Sequence, residues 1–177
     1  YHGFKRIDYQ FQGHDAVVIF PDQAEEQRRW IWRAEFLGAF DTVDVAMLKA
    51  GWHLVYYRIS DMYGCPAAVE LMDQFYQHVV AEYNLHPKTV LLGFSRGGLY
   101  SLAFAGRFPE RMGALYLDAP ALSIFQWPCR PGDQWARERS ECMRWYHLKE
   151  GDTDTPDDPI HQLPTIVRHR IPLVMVI

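Results

Sequence analysis

Gly93, Ser95, Gly97 and Gly98 fall within the stretch GFSRGGL. A serine with a glycine two residues to either side suits a strand that turns straight into a helix. The residue at the apex of such a turn holds a strained backbone, usually with positive φ. Side chains two residues before and after it would strike the neighbouring strand and helix, and glycine removes them. The turn aims the Ser95 hydroxyl off the end of the strand, and the helix N-terminus beneath it favours developing negative charge. The chemistry on offer is nucleophilic attack, provided a base takes the proton. The alternative is a tight turn in which Ser95 only caps the helix. At ordinary glycine and serine frequencies the five-residue pattern arises by chance about 0.06 times in a chain of this length, which favours the chemical reading.

That reading needs a strand before the serine and a helix after it. TVLLGF is a continuous apolar run, the mark of a strand buried on both faces. SRGGLYSLAFAGRF reads as a helix ended by Pro109. The same alternation extends in both directions. FKRIDYQF alternates with a period of two, AVVIF is a buried strand ended by Pro21, and WHLVYYRI and GALYLDA are further strands. WIWRAEFLGAF and TVDVAMLKA read as helical, with Phe36, Phe40, Val43 and Met47 at three- and four-residue steps and Gly51 as a C-terminal cap. CPAAVELMDQFYQHVVAEY reads as a helix with Pro66 in its first turn and Ala68, Leu71, Phe75 and Val79 inward. The fold class predicted is α/β, a mostly parallel central sheet with helices on both faces.

The regularity breaks at Pro120. A turn-rich stretch, an amphipathic helix over QWARERSECMRWYHL, an acidic loop and a helix interrupted by Pro164 lead to IPLVMVI, a final buried strand. The sequence therefore divides into a core over 1–120, a cap-like insertion over 121–170 and one more core strand over 171–177.

Composition narrows the function classes. The chain has 177 residues, 49% hydrophobic and 23% charged, with a formal charge of -4. Nothing in it forms the basic footprint that nucleic acid requires. No apolar run approaches the ~18 residues of a membrane span. Cys65, Cys129 and Cys142 lack the spacing of a metal site, and pairing of Cys129 with Cys142 stays open. Asp152, Asp154, Asp157 and Asp158 form an acidic stretch without the glycine and terminal glutamate of a calcium loop, so a solvated loop is favoured. No metal or cofactor is expected.

The elbow GFSRGG, with the strings GFSRGGLYSLAFA and FPERMGALYLDAP, resembles the esterase-like α/β-hydrolases. The resemblance runs from the strand at Ala16–Phe20 to that at Leu173–Ile177. It implies Ser95 as the nucleophile and the backbone N–H of Arg96 as one oxyanion donor. A second donor is expected in the loop after Ala16–Phe20. Pro21 has no N–H, so Asp22 is the candidate and Gln23 the fallback. The family order is serine, acid, histidine, with both partners expected beyond Ile177. Within the chain, Asp118 ends a strand where a minority of the family places the acid, and His147, His161 and His169 lie in the insertion. The resemblance also brings Trp30, Trp32 and Trp127 forward as substrate walls, with core packing as the alternative. Arg33 and Arg96 could meet an acidic group of substrate or form ion pairs, with Glu35 or Asp118 as partners. The activity implied is hydrolysis of a small carboxylic ester, acylated carbohydrates included. The competing reading is a non-catalytic binding protein with the same fold, or an inactive fragment of a hydrolase.

Overall fold

A seven-stranded sheet in the order β1-β2-β4-β3-β5-β6-β7 organises the computed structural model, which describes residues 1–132 and 134–177. The strands are β1 (Arg6–Phe11), β2 (His14–Ile19), β3 (Trp30–Arg33), β4 (His53–Tyr57), β5 (Thr89–Phe94), β6 (Met112–Asp118) and β7 (Leu173–Val176). β2 runs antiparallel to both its neighbours, β1 and β4, and every other pairing is parallel. The C-terminal ends of β3 to β7 therefore share one edge of the sheet. The helices are α1 (Thr42–Lys49), α2 (Pro66–Tyr83), α3 (Gly97–Arg107), α4 (Ala136–Trp145) and α5 (Leu163–Arg168).

Two apolar clusters show which face each helix covers. Leu48 of α1 packs with Val17, Ile19, Ile31 and Leu54 on one face. Phe75 and Val79 of α2 and Leu102 and Phe104 of α3 pack with Trp30, Trp32 and Leu91 on the other. Helices on both faces of a mostly parallel sheet are the architecture that the alternating pattern requires.

Three local expectations are corrected. WIWRAEFLGAF is not a helix: Trp30–Arg33 is a fully buried strand wedged between β4 and β5, and a loop follows it. Phe36, Gly38 and Phe40 in that loop have φ of 57°, 89° and 51°, which no α-helix tolerates. The inward stripe of α2 is Ala68, Val69, Met72, Phe75, Tyr76 and Val79, with Leu71 only half-buried. Pro164 sits in the first turn of α5 rather than interrupting a helix, where its missing N–H costs nothing.

β7 forms at the predicted place, but it is the sheet's edge and not a buried strand. Leu173, Val174, Met175 and Val176 are all exposed. Polar bonds join segment 121–170 to Tyr63 and hold the segment together internally. Tyr146 Oη donates to the Tyr63 carbonyl at 2.9 Å, and Tyr63 Oη donates to Glu141 at 3.0 Å. The buried Asp158 carboxylate accepts from Ser123 Oγ at 2.5 Å and from the Ile124 N–H at 3.1 Å. Cys65, Cys129 and Cys142 are buried free thiols. Among the described residues no helix is long and apolar enough to cross a membrane, and no cluster of His, Cys, Asp or Glu is arranged to hold a metal.

Candidate active site

The strand order reverses at β3 and β5. β3 leads through α1 to β4 on one side, and β5 leads through α3 to β6 on the other. Loops leaving the carboxyl ends of such neighbours part to opposite faces and open a crevice, the usual ligand position in α/β sheets. Ser95 follows β5 directly, and Ala34, Glu35 and Phe36 follow β3.

Ser95 has φ of 51°. A non-glycine residue in this left-handed region is strained and persists only where its surroundings hold it. Three backbone hydrogen bonds do so. The Ser95 N–H donates to the Asp118 carbonyl at 3.0 Å, and its own carbonyl accepts from Gly98 at 3.1 Å and Ala121 at 2.9 Å. The glycines explain how α3 can start so close to the sheet. A Cβ on Gly93 would lie 2.7 Å from Ser101 Oγ, and one on Gly98 would lie 2.5 Å from the Ala121 carbonyl oxygen. The capping alternative fails, because Arg96 occupies the N-cap position and no side chain bonds there.

Ser95 borders a cavity of about 600 Å³ with Phe36, Arg96, Gln126, Trp127, Arg130 and Trp135 among its walls. Gln126 to Trp135 belong to the 121–170 segment, so that segment does reach the serine. Trp127 and Trp135 meet edge to face with centroids 6.0 Å apart.

Of the cavity-lining residues, Phe36, Arg96, Arg130, Trp135 and Glu138 have backbone amides with no backbone acceptor among the described residues, and Arg96 and Phe36 are the ones that directly follow Ser95 and the β3 loop residue Glu35. The Phe36 amide was missed in the sequence because β3 was read as a helix. Asp22 is placed elsewhere. Since β2 runs against the other strands, its end carries Asp22 to the opposite edge of the sheet, where Glu25 bonds to Gly51 ahead of β4. Asp22 therefore cannot reach Ser95. Trp30 and Trp32 are 0% and 1% exposed and stack on each other in the core, so they wall no cavity. Trp127 alone of the three expected tryptophans lies beside Ser95.

Both arginines are ion-paired. Arg33 holds Asp44 through Nη1 at 3.1 and 3.0 Å, both residues fully buried. Arg96 approaches Glu35 at 3.5 Å and Asp61 at 3.7 Å and lies over the Phe36 ring. Burial pushes the Glu35 carboxyl above its ordinary value, against the pull of Arg96 and of the Ser60 hydroxyl that donates to it at 3.1 Å. Asp118 contributes its carbonyl to the turn, and its side chain does not border the cavity. His147, His161 and His169 are exposed, none borders the cavity, and His161 pairs with Asp154 at 2.7 Å.

The sequence matches no protein-family model and no curated protein sequence. Solved structures do resemble it. A substrate-bound fluorophosphonate-binding serine hydrolase of Staphylococcus aureus aligns over 98% of this chain and 78% of its own, with a TM-score of 0.71 and 12% identity. An S-formylglutathione hydrolase from the same organism aligns over the same shares, with a TM-score of 0.67 and 11% identity. An α/β-hydrolase enzyme from a Medee basin deep-sea metagenome library aligns over 99% of this chain and 81% of its own, with a TM-score of 0.57 and 14% identity. The chain has the α/β-hydrolase fold. The strand-to-helix turn of that fold here carries Ser95, between β5 and α3.

Proposed function

We propose that this chain carries the nucleophile and oxyanion hole of a serine hydrolase acting on a carboxylic ester. Ser95 Oγ attacks the carbonyl carbon. The carbonyl oxygen, negative in the tetrahedral intermediate, takes hydrogen bonds from the N–H groups of Arg96 and Phe36, and the N-terminus of α3 adds its dipole. Collapse expels the alcohol and leaves an acyl-serine, which water then hydrolyses. Trp127 and Trp135, on the 121–170 segment acting as a cap, offer flat aromatic faces to the acyl group or to a sugar alcohol. No cofactor enters this chemistry.

The observation that carries the proposal is the left-handed Ser95 at the strand-to-helix turn, bordering a cavity that Arg96 and Phe36 also line, with amides free of backbone acceptors among the described residues. The reading also requires a histidine base, and none among the described residues borders the cavity. We place that base outside the cavity walls described here, and the chain Tyr1–Ile177 alone should turn over little. That same gap favours the second reading, a binding protein that keeps the fold without turnover.

Hydrolysis of p-nitrophenyl acetate separates the two. The protein expressed from its complete reading frame should hydrolyse it, and Ser95→Ala should remove the activity by roughly 10⁶-fold. Hydrolysis unaffected by Ser95→Ala would refute Ser95 as the nucleophile, and no hydrolysis by the wild type would leave the binding reading.

A further inference from the structure

We infer that Arg33 is a positioning residue for the oxyanion hole, orienting the peptide between Glu35 and Phe36 from beneath while Asp44 holds its guanidinium in place. The inference rests on the reading of Ser95 as nucleophile and of the Phe36 N–H as a donor.

Arg33 is the last residue of β3 and is 1% exposed, and its partner Asp44, on α1, is 0% exposed. Burying such a pair is costly, and apolar residues of like volume often serve a core as well or better. Stability alone therefore gives little reason for it. Its geometry gives a better one. Nη1 donates twice to Asp44, at 3.1 and 3.0 Å, Nε donates to the Glu35 carbonyl at 3.1 Å, and Nη2 donates to the Ala39 carbonyl. The planar fork of a guanidinium can satisfy such divergent acceptors at once, and an ammonium cannot match it.

In a trans peptide the carbonyl and the following N–H point in opposite directions. Drawing the Glu35 oxygen down to Arg33 turns the Phe36 N–H to the other side, away from the core. The same loop holds Phe36 and Phe40 in left-handed conformations, φ 57° and 51°, which need an external constraint to persist. Other contacts hold the loop's position. Ala34 N–H bonds the Leu92 carbonyl at 3.0 Å, and the rings of Phe36 and Phe40 pack on Phe94. Among the described residues, Arg33 is the one seen to bond the carbonyl of the 35–36 peptide.

The test is made on the protein expressed from its complete reading frame. Arg33→Met alone strands a buried carboxylate and is expected to unfold, so it is combined with Asp44→Leu to remove both charges. Arg33→Lys is the conservative variant. With p-nitrophenyl acetate, the folded double variant should lose about 10²-fold in kcat with KM within a few-fold, as for removal of one oxyanion donor. Arg33→Lys should fall between. Hydrogen exchange of the Ala39 N–H, which bonds the Phe36 carbonyl at 3.0 Å, should accelerate at least about tenfold. A folded double variant with unchanged kcat, or with its loss in KM alone, would overturn the inference. If the wild-type protein shows no Ser95-dependent turnover, the hydrolase reading fails and the exchange decides. Unchanged Ala39 exchange refutes the role of Arg33 in the loop, and accelerated exchange supports it.

Discussion

Gly93→Ala is the substitution on which the geometry of the turn bears most heavily. Gly93 lies in β5 two residues before Ser95. An added Cβ would sit 2.7 Å from Ser101 Oγ, 2.9 Å from the Gly97 carbonyl oxygen and 3.0 Å from its carbon. Two of these atoms are helix backbone. The third cannot swing away freely, because the buried Ser101 hydroxyl donates to that same Gly97 carbonyl at 2.8 Å. Relief requires α3 to move off the sheet or Ser101 to give up its bond. One methyl forced into a packed core costs about 1–3 kcal/mol, and a lost hydrogen bond adds about 1 kcal/mol. The sum, about 2–4 kcal/mol, corresponds to a urea midpoint lower by roughly 1–2 M at an m-value of about 2 kcal/mol/M. Equilibrium unfolding followed by tryptophan fluorescence measures it. Adding Ser101→Ala should recover part of the loss, since it removes one of the three contacts. A Gly93→Ala cost under about 0.5 kcal/mol would mean that α3 does not approach β5 this closely, and the account of the turn would fail with it.

Further outcomes follow from other residues. Gly97→Ala places a Cβ 3.3 Å from Glu35 Cβ, so it should push on the oxyanion loop and slow ester hydrolysis while costing under about 1 kcal/mol of stability; a variant with full activity would contradict this. His53 is 1% exposed, its Nδ1 has no partner, and burial lowers its pKa from 6.5 to about 4. With the folded pKa depressed, its contribution is fully present above pH 6.5 and is lost as pH falls towards 4, by about 2 kcal/mol at pH 5. His53→Phe, which keeps the edge contact with Phe20, should therefore be less acid-sensitive than the wild type by that amount between pH 7.5 and 5. Parallel stability–pH curves would show the assignment wrong. Trp127→Ala should raise KM for esters with bulky acyl groups several-fold more than for acetate at similar kcat, and an equal effect on both would remove Trp127 from the substrate wall.

Much of this arrangement could be read from the chain because its signals are local. The apolar run Thr89–Phe94, the glycines around Ser95 and the periodicity of Pro66–Tyr83 each determine one element by sterics or by burial of one stripe. What stayed hidden depends on pairing between distant segments. Trp30–Arg33 is too short to display a period, and its aromatic residues continue into Phe36 and Phe40 at helical steps. Only the slot between β4 and β5 makes it a strand. That one misreading put the expected second donor at Asp22 and left Trp30 and Trp32 open as substrate walls, where the structure buries both in the core. Arg33 shows the same limit: its charge is visible in the sequence, but its partner Asp44, eleven residues on, is brought to it by the loop that follows β3. The exposed face of β7 was legible, since an apolar strand with no chain after it has nothing to cover its far side.

The most direct test of the central claim is the site of covalent capture by a fluorophosphonate. The protein expressed from its complete reading frame is incubated with the probe, digested and mapped by mass spectrometry, alongside Ser95→Ala and the chain Tyr1–Ile177 alone. The account predicts one phosphonylated residue, Ser95, absent from the variant and weak in the isolated chain, where no histidine among the described residues borders the cavity. A protein whose Ser95 stays unmodified, or whose label persists in Ser95→Ala, would contradict it.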